Sequence, residues 1–295
     1  MVPDVDDPIR ELEQILDRQQ PIDAINALIG ATLSPRRDDS PGAASTIAVG
    51  VDSSALLRLA DRSRTDVVDF LASRHTGPLI LPGQVIQEFW NNTLAVIETH
   101  GESVRKKYLA LIDEIRKLGV EFRPFAERFQ LVLDEFSGEN AFAFEPATAI
   151  RVNSVLEALQ RRASVPYVPR ARFRAIADIR DKTRTPPGFR DPGQHGDFFV
   201  WADYLLGLMT AERAKEHFDL AILVTADEKV DWSRGGRAHP LLVAEVNALV
   251  HVPFETWNLG RLARYVATQT AVDAPPADAT LLEVAGVVDG SGSVS

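Results

Sequence analysis

Residues 47–74 read IAVGVDSSALLRLADRSRTDVVDFLASR, and this stretch decides the fold. The run IAVGVD is short and apolar and ends in an acid, which is typical of a buried strand. The residues after it carry apolar side chains at helical spacing, so they predict an amphipathic helix. A buried strand that leads into a helix is the repeating unit of a parallel sheet.

The same unit recurs along the chain. PLILP (78–82) precedes a long helical stretch, and the strand-like DLAILVTAD (219–227) follows the helical DFFVWADYLLGLMTAERAKEHF (197–218). ALVHVPFETWN (248–258) suggests one more strand, whereas the middle, roughly 120–180, contains no obvious strand. This alternation predicts an α/β protein of the three-layer α/β/α class, with a mostly parallel central sheet and a helical insertion.

The chain divides into three parts. Residues 1–46 predict a helical extension of two short helices and a linker rich in Pro, Gly and Ser. Residues 47–269 predict the main domain, with the helical insertion at about 100–185. Residues 270–295 are rich in Ala, Pro, Gly and Ser, and we expect them to form a flexible tail.

The composition limits which side chains could bind a metal. The chain of 295 residues has no cysteine, so a metal would be held by oxygen or imidazole ligands. No apolar run approaches the roughly 20 residues that cross a bilayer, and the acidic start differs from a secretory signal. We therefore expect a cytoplasmic protein with no membrane partner.

The net charge of −10 is unevenly distributed. Residues 161–190 carry nine basic and two acidic side chains, a local balance of +7, so the remainder carries −17. Both a solvated helix face and a surface that binds nucleic acid explain such a run. The nucleic-acid hypothesis assigns contacts to Arg170, Arg172, Arg174, Lys182, Arg184 and Arg190.

Four acids fall where the predicted sheet would bring them together: Asp52, Glu88, Asp197 and Asp227. Two of them end predicted strands, one lies on the helix after PLILP, and one opens a helix. Each alone has an ordinary explanation as a helix cap, a turn residue or an exposed helix residue. Together they point to one site, because ligands bind at the carboxyl ends of parallel strands.

Binding of a hard cation would explain why these acids lie together. Clustered carboxylates repel one another, and Mg²⁺ or Mn²⁺ prefers carboxylate oxygen and water as ligands. A cation held in this way activates water and neutralises charge on a phosphodiester. The sequence therefore predicts metal-dependent hydrolysis of a phosphodiester.

Four segments in this order resemble the PIN-like domain family: VDSSALLRL, LPGQVIQEF, PPGFRDPGQHGDFFVW and LVTADEKVDW. The similarity covers roughly residues 47–260 and is to the branch with helical insertions and a T-x-D-x-K-x-D-W segment. It implies a compact α/β/α sheet, Mg²⁺ or Mn²⁺, and endoribonuclease activity of the kind found in toxin and RNA-processing proteins. An inhibitory protein partner and a homo-oligomer stay open.

The resemblance also assigns roles to individual residues. It implies that the four acids are metal ligands or activate the attacking water, and that Ser54 and Thr225 orient that water or a ligand. It implies that Lys229 and Asp231 support the site or contact phosphate. Ser54 stands where the family usually has Asn or Thr, and Ala226 stands where this branch often has an acid, so one or two metals remain open. Trp232 is expected in the core.

Two other functions compete with a nuclease. A haloacid-dehalogenase-type phosphatase also places an aspartate after its first strand, but it needs a second aspartate two residues later, where this chain has Ser54. A PIN-like module that binds RNA or a protein partner without cleaving stays an alternative, because the net charge of −10 weakens nonspecific affinity for nucleic acid, but the presence of all four acids favours a nuclease. No phosphate-binding loop, nucleophile elbow or zinc-binding histidine pair is found in the sequence.

Overall fold

A parallel sheet lies at the centre of the protein. The computed structural model describes residues 7–33, 46–60, 64–117, 119–139, 147–190, 193–226 and 229–272. Five strands form this sheet in the order β3-β2-β1-β4-β7, and all neighbouring strands are parallel. A separate antiparallel pair joins β5 to β6. The strands are β1 (Ile47–Val51), β2 (Leu79–Ile80), β3 (Ala163–Ser164), β4 (Leu220–Val224), β5 (Ser233–Arg234), β6 (Arg237–Ala238) and β7 (Phe254–Trp257).

Helices make up most of the remaining described structure. None of the helices within the described ranges is long and apolar enough to cross a membrane. The helices are α1 (Pro8–Leu16), α2 (Ala24–Leu33), α3 (Ser53–Leu59), α4 (Thr65–Asp69), α5 (Gly83–Lys117), α6 (Arg123–Glu139), α7 (Ala147–Gln160), α8 (Arg170–Lys182), α9 (Gly196–Arg213), α10 (Pro240–Val250) and α11 (Leu259–Val272), with a π-helical turn at Phe70–Arg74 and a 3-10 turn at Val120–Phe122.

Helices cover both faces of the sheet. Every residue of β1 and β4 is buried, as expected for continuous apolar strands between two layers. In β7, the ring of Phe254 contacts Trp201 of α9, with 5.1 Å between the centroids. Trp257, on the other face, contacts Tyr265 of α11 at 5.6 Å. The predicted three-layer α/β/α class with a mostly parallel sheet is confirmed.

Three local predictions were wrong. The middle of the chain does contain a strand, because β3 pairs with β2 at the edge of the sheet. Residues 53–74 do not form a single helix, since α3 ends at Leu59 and α4 begins at Thr65. In 248–258, only the second half is a strand: α10 extends to Val250 and ends at His251, whose φ of 57° is left-handed.

The predicted extension and insertion are partly built into the main core. In α1, Leu12, Ile15 and Leu16 are buried in the same cluster as the sheet. The helices α7 and α8 also contribute to that cluster. Within the described residues, a second and smaller core lies between the end of α5 and α6. It is formed by Ile112, Ala126 and Leu133. Most of the predicted linker, residues 34–45, lies outside the described residues. The predicted tail lies outside them from residue 273 onward.

A buried carboxylate joins four helices of the main core. Glu245 of α10 is fully buried, and its Oε1 accepts hydrogen bonds from Arg18 at 2.6 Å and from Arg180 of α8 at 2.8 Å. Its Oε2 accepts from the indole of Trp201 at 2.6 Å. Arg180 also donates to the carbonyl of Leu16 in α1. Burial lowers the pKa of Arg180, and the charge of Glu245 opposes this shift.

We expect Glu245→Ala to lower the free energy of unfolding by about 3–5 kcal/mol, because it leaves the guanidinium of Arg180 buried without its counter-charge. Urea unfolding at constant pH measures this loss. The control is Glu114→Ala, which removes an exposed pair with Lys117 at 3.4 Å and should cost no more than about 0.5 kcal/mol. Equal losses in the two variants would contradict a role for this cluster in joining the helices.

Candidate active site

The site begins where β1 and β4 end side by side. Val51 is paired with Val224, and the backbone N–H of Asp52 donates to the carbonyl of Val224 at 2.9 Å. The hydroxyl of Thr225 then donates to Asp52 Oδ2 at 2.9 Å. Parallel pairing therefore places the residue after one strand against the residue after its neighbour, as the sequence pattern indicated for this edge of the sheet.

The carboxylate of Asp52 is held by further donors. Its Oδ1 accepts from the backbone N–H of Ser53 at 2.7 Å and so caps α3. The hydroxyl of Ser54 lies 2.7 Å from Oδ2 and accepts from the backbone N–H of Ala226 at 3.0 Å. The ordinary explanation of Asp52 as a helix cap is therefore correct. It does not exclude a ligand role, because a carboxylate has about four lone-pair sites.

Glu88, on the first turns of α5, faces Asp52 across one serine. The hydroxyl of Ser53 lies 3.1 Å from Glu88 Oε2 and 3.3 Å from Asp52 Oδ1. The amide of Gln84 donates to Glu88 Oε1 at 3.1 Å. Burial raises the pKa of Glu88, the two hydrogen bonds oppose this, and the negative charge of Asp52 raises it further. Two carboxylates thus share a partly buried corner of the sheet edge.

Asp197 and Lys229 form an ion pair beside these acids. Lys229 Nζ lies 3.6 Å from Asp197 Oδ2, and both side chains are partly exposed. The positive charge of Lys229 also lowers the pKa of Glu88. Gly196, which precedes Asp197, approaches Glu88 so closely that a Cβ there would lie 2.5 Å from Oε1. Asp197 therefore enters the site at the start of α9, next to Glu88.

The remaining acids of the hypothesis differ in position. Asp231 is fully buried; its Oδ2 accepts from the N–H of Gly188 at 3.0 Å, while its Oδ1 has no hydrogen-bond partner among the described residues. The prediction that Asp231 supports the site stays a prediction. Trp232 is buried in the core as expected. Asp227 lies outside the described residues. Among the residues that are described, no three acid or imidazole side chains form a metal-binding group.

The six basic residues of the nucleic-acid hypothesis have different surroundings. Arg170 is bound through both guanidinium nitrogens to the buried Asp203, at 2.9 and 2.8 Å. Arg172 pairs with Glu13 at 2.5 Å. Arg174 pairs with Asp178 of its own helix at 3.3 Å. The other three side chains are exposed, and they lie at the end of α8 or in the segment that follows it: Lys182, Arg184 and Arg190.

Sequence reasoning missed two residues that contact the acids. Ser53 and Gln84 are neutral, and only their spacing could have indicated them: Ser53 follows the acid that ends β1, and Gln84 lies one helical turn before Glu88. His195, two residues before Asp197, has its Nε2 2.7 Å from Asp178 of α8. Comparison of the chain with protein-family models, curated proteins and solved structures gave no match.

We expect Gly196→Ala to displace the carboxylate of Glu88, because the new Cβ would occupy the space next to Oε1 and the glutamate side chain can move. A crystal structure of the variant should show Glu88 Oε2 beyond hydrogen-bond distance of Ser53. Thermal unfolding should change little, as it should in the control Gly30→Ala, where a Cβ meets no atom within 4 Å. An unmoved Glu88 would contradict this packing.

Proposed function

We propose that this protein is a metal-dependent endoribonuclease that hydrolyses phosphodiester bonds of RNA at the carboxyl edge of its sheet. The observation that carries the proposal is the pair of carboxylates, Asp52 and Glu88, on either side of the Ser53 hydroxyl. The resemblance to the PIN-like family points to the same two acids. The neighbouring ion pair of Asp197 and Lys229 supplies a third carboxylate and a cation.

The donor atoms fit Mg²⁺ or Mn²⁺. The acceptor atoms at the corner are oxygens of carboxylates and hydroxyls, which hard cations prefer. Mg²⁺ in particular binds proteins through one or two carboxylates together with substrate phosphates. Asp52 and Glu88 would therefore hold the ion, and the family resemblance adds Asp197 and Asp227 as its further ligands. A divalent cation would also relieve the repulsion between the two acids.

The chemistry divides between the ion and the chain. When bound, a divalent cation activates water and neutralises charge on the phosphodiester. Asp52 is preoriented by hydrogen bonds from Ser54 and Thr225, so its carboxylate needs little reorganisation. Lys229 offers an ammonium group to a phosphate oxygen. Water adds to phosphorus and the bond from phosphorus to the 3′ oxygen breaks, which leaves a 5′-phosphate and a 3′-hydroxyl.

The segment between the exposed Arg184 and Arg190 contacts Asp197. Gly188 packs against Asp197, where a Cβ at the glycine would lie 3.2 Å from the aspartate Cβ. The segment that carries Arg184 and Arg190 therefore passes beside the acids, and its charge would hold the phosphate backbone. We place the activity in the cytoplasm, in keeping with a chain without cysteine.

We expect purified protein to cleave RNA with Mn²⁺ and to lose this activity when EDTA is added. Asp52→Asn should lower the cleavage rate by roughly a hundredfold or more, since replacing even an outer partner of a metal ligand costs about 10–100-fold. Gel analysis of end-labelled RNA measures the rate and identifies the 5′-phosphate. The matched control is Asp113→Asn on the exposed surface of α5, which should cleave like the wild type.

Cleavage that persists in EDTA, or that survives Asp52→Asn at the wild-type rate, would contradict the metal mechanism. Binding of RNA without cleavage under any metal would support a non-cleaving RNA-binding module instead.

A further inference from the structure

An exposed aromatic ring lies at the same sheet edge as the acids. Tyr167 follows β3, the edge strand, and its side chain is 57% exposed. Because β3 is parallel to β2 and β1, its carboxyl end points to the edge where Asp52 lies. Because the Tyr167 ring is mostly exposed, it contributes little to the hydrophobic core.

The ring is fixed against the start of α5. Gly83, the first residue of that helix, approaches the Tyr167 ring so closely that any Cβ there would overlap ring carbons. The backbone N–H of Gly83 also donates to the carbonyl of Pro166 at 2.9 Å. The loop after β3 is thereby attached to the helix that carries Glu88. Tyr167 is an exposed side chain in a defined place.

Arg170 supports the ring from a second side. Its guanidinium carbon lies 5.8 Å from the Tyr167 centroid and 4.5 Å from the centroid of Phe199. Asp203, which is fully buried, holds this guanidinium through two hydrogen bonds and also accepts from the backbone N–H of Gln84 at 2.9 Å. One carboxylate therefore links the ring's neighbour to the turn that positions Glu88.

The first turns of α5 link the ring to Glu88. Gly83 and Glu88 are five residues apart in one helix, a rise of about 7.5 Å. Gln84, one residue after Gly83, donates to Glu88 directly. A base next to the cleaved phosphodiester could reach the ring over this distance.

We propose that Tyr167, held in place by Arg170, is a stacking platform for an unpaired base of the RNA substrate. The inference rests on the proposed nuclease function. Bases in a duplex are stacked on their neighbours and do not offer a free face to a protein ring, whereas bases in single strands stack readily on aromatic side chains. Because Asp203 accepts from both terminal guanidinium nitrogens of Arg170, we assign Arg170 to positioning the ring.

The test is fluorescence anisotropy of a labelled single-stranded RNA with the full chain in EDTA, so that binding is measured without cleavage. Tyr167→Ala should weaken binding by roughly tenfold, the effect of losing one stacked base, and Tyr167→Phe should bind like the wild type. The same strand with abasic sites should bind wild type and Tyr167→Ala equally. A matched duplex should show no difference between them.

The matched control is Phe125→Ala on α6. Phe125 is 52% exposed, and the guanidinium carbon of Arg128 lies 5.9 Å from its ring centroid. It therefore resembles Tyr167 in exposure and in its neighbouring guanidinium. It lies on α6, which contributes no residue to the proposed site. It should bind RNA like the wild type.

Wild-type affinity in Tyr167→Ala, or an equal loss on the abasic strand, would overturn the platform. These outcomes are separate from those that test the nuclease proposal, which are cleavage of RNA in Mn²⁺ and the loss of that cleavage in EDTA and in Asp52→Asn. Binding of duplex in preference to single strand would also overturn the inference.

Discussion

The parallel pairing of β1 with β4 is the constraint on which the site depends. It joins the backbone of Asp52 to Val224 and so brings the residues after both strands into contact. Thr225 can then donate to Asp52, and the turn after β4 can donate to Ser54. A register shift of one residue would turn these side chains to the other face of the sheet. The chemistry of the edge thus follows from the pairing of two buried, apolar strands.

Buried carboxylates hold the helices that complete this edge. Asp203 of α9 binds Arg170 of α8 and the backbone at the start of α5, while Glu245 of α10 binds Arg180 of α8. Each acid is fully buried and each is paired with a guanidinium, as buried charges must be. These two acids keep α8, α9 and α10 in place, and α9 in turn presents Asp197 to the site.

The sequence predicted the parts of the fold that are encoded by long apolar patterns. β1 and β4 were recognisable because every residue in them is buried. β3 was not, because two residues at a sheet edge carry no periodic pattern. The convergence of Asp52 and Glu88 could be predicted from strand ends, since topology alone brings them to one edge. The break between α3 and α4 was not predicted, because Val67 follows Ala60 by seven residues and so keeps the helical phase across the polar DRSRTD.

The charge pattern of the sequence predicted less about the structure than the apolar pattern did. The basic run in and after α8 could not reveal that Arg170 binds Asp203, because the partner lies 33 positions away in sequence and only the fold brings them together. The same limit applies to Ser53 and Gln84, whose neutral side chains gain a role only from their contact with Glu88. Only the folded chain shows which group binds a given charged side chain.

The central claim is that Asp52 and Glu88 hold a divalent cation, and Mn²⁺ binding measured by isothermal titration calorimetry tests it most directly. We expect saturable binding to the wild type and none in the double variant Asp52→Asn, Glu88→Gln. The double variant Asp113→Asn, Glu114→Gln removes the same number of charges from an exposed part of α5 and should bind like the wild type. Wild-type binding of Mn²⁺ by the double variant of the two site acids would contradict the claim.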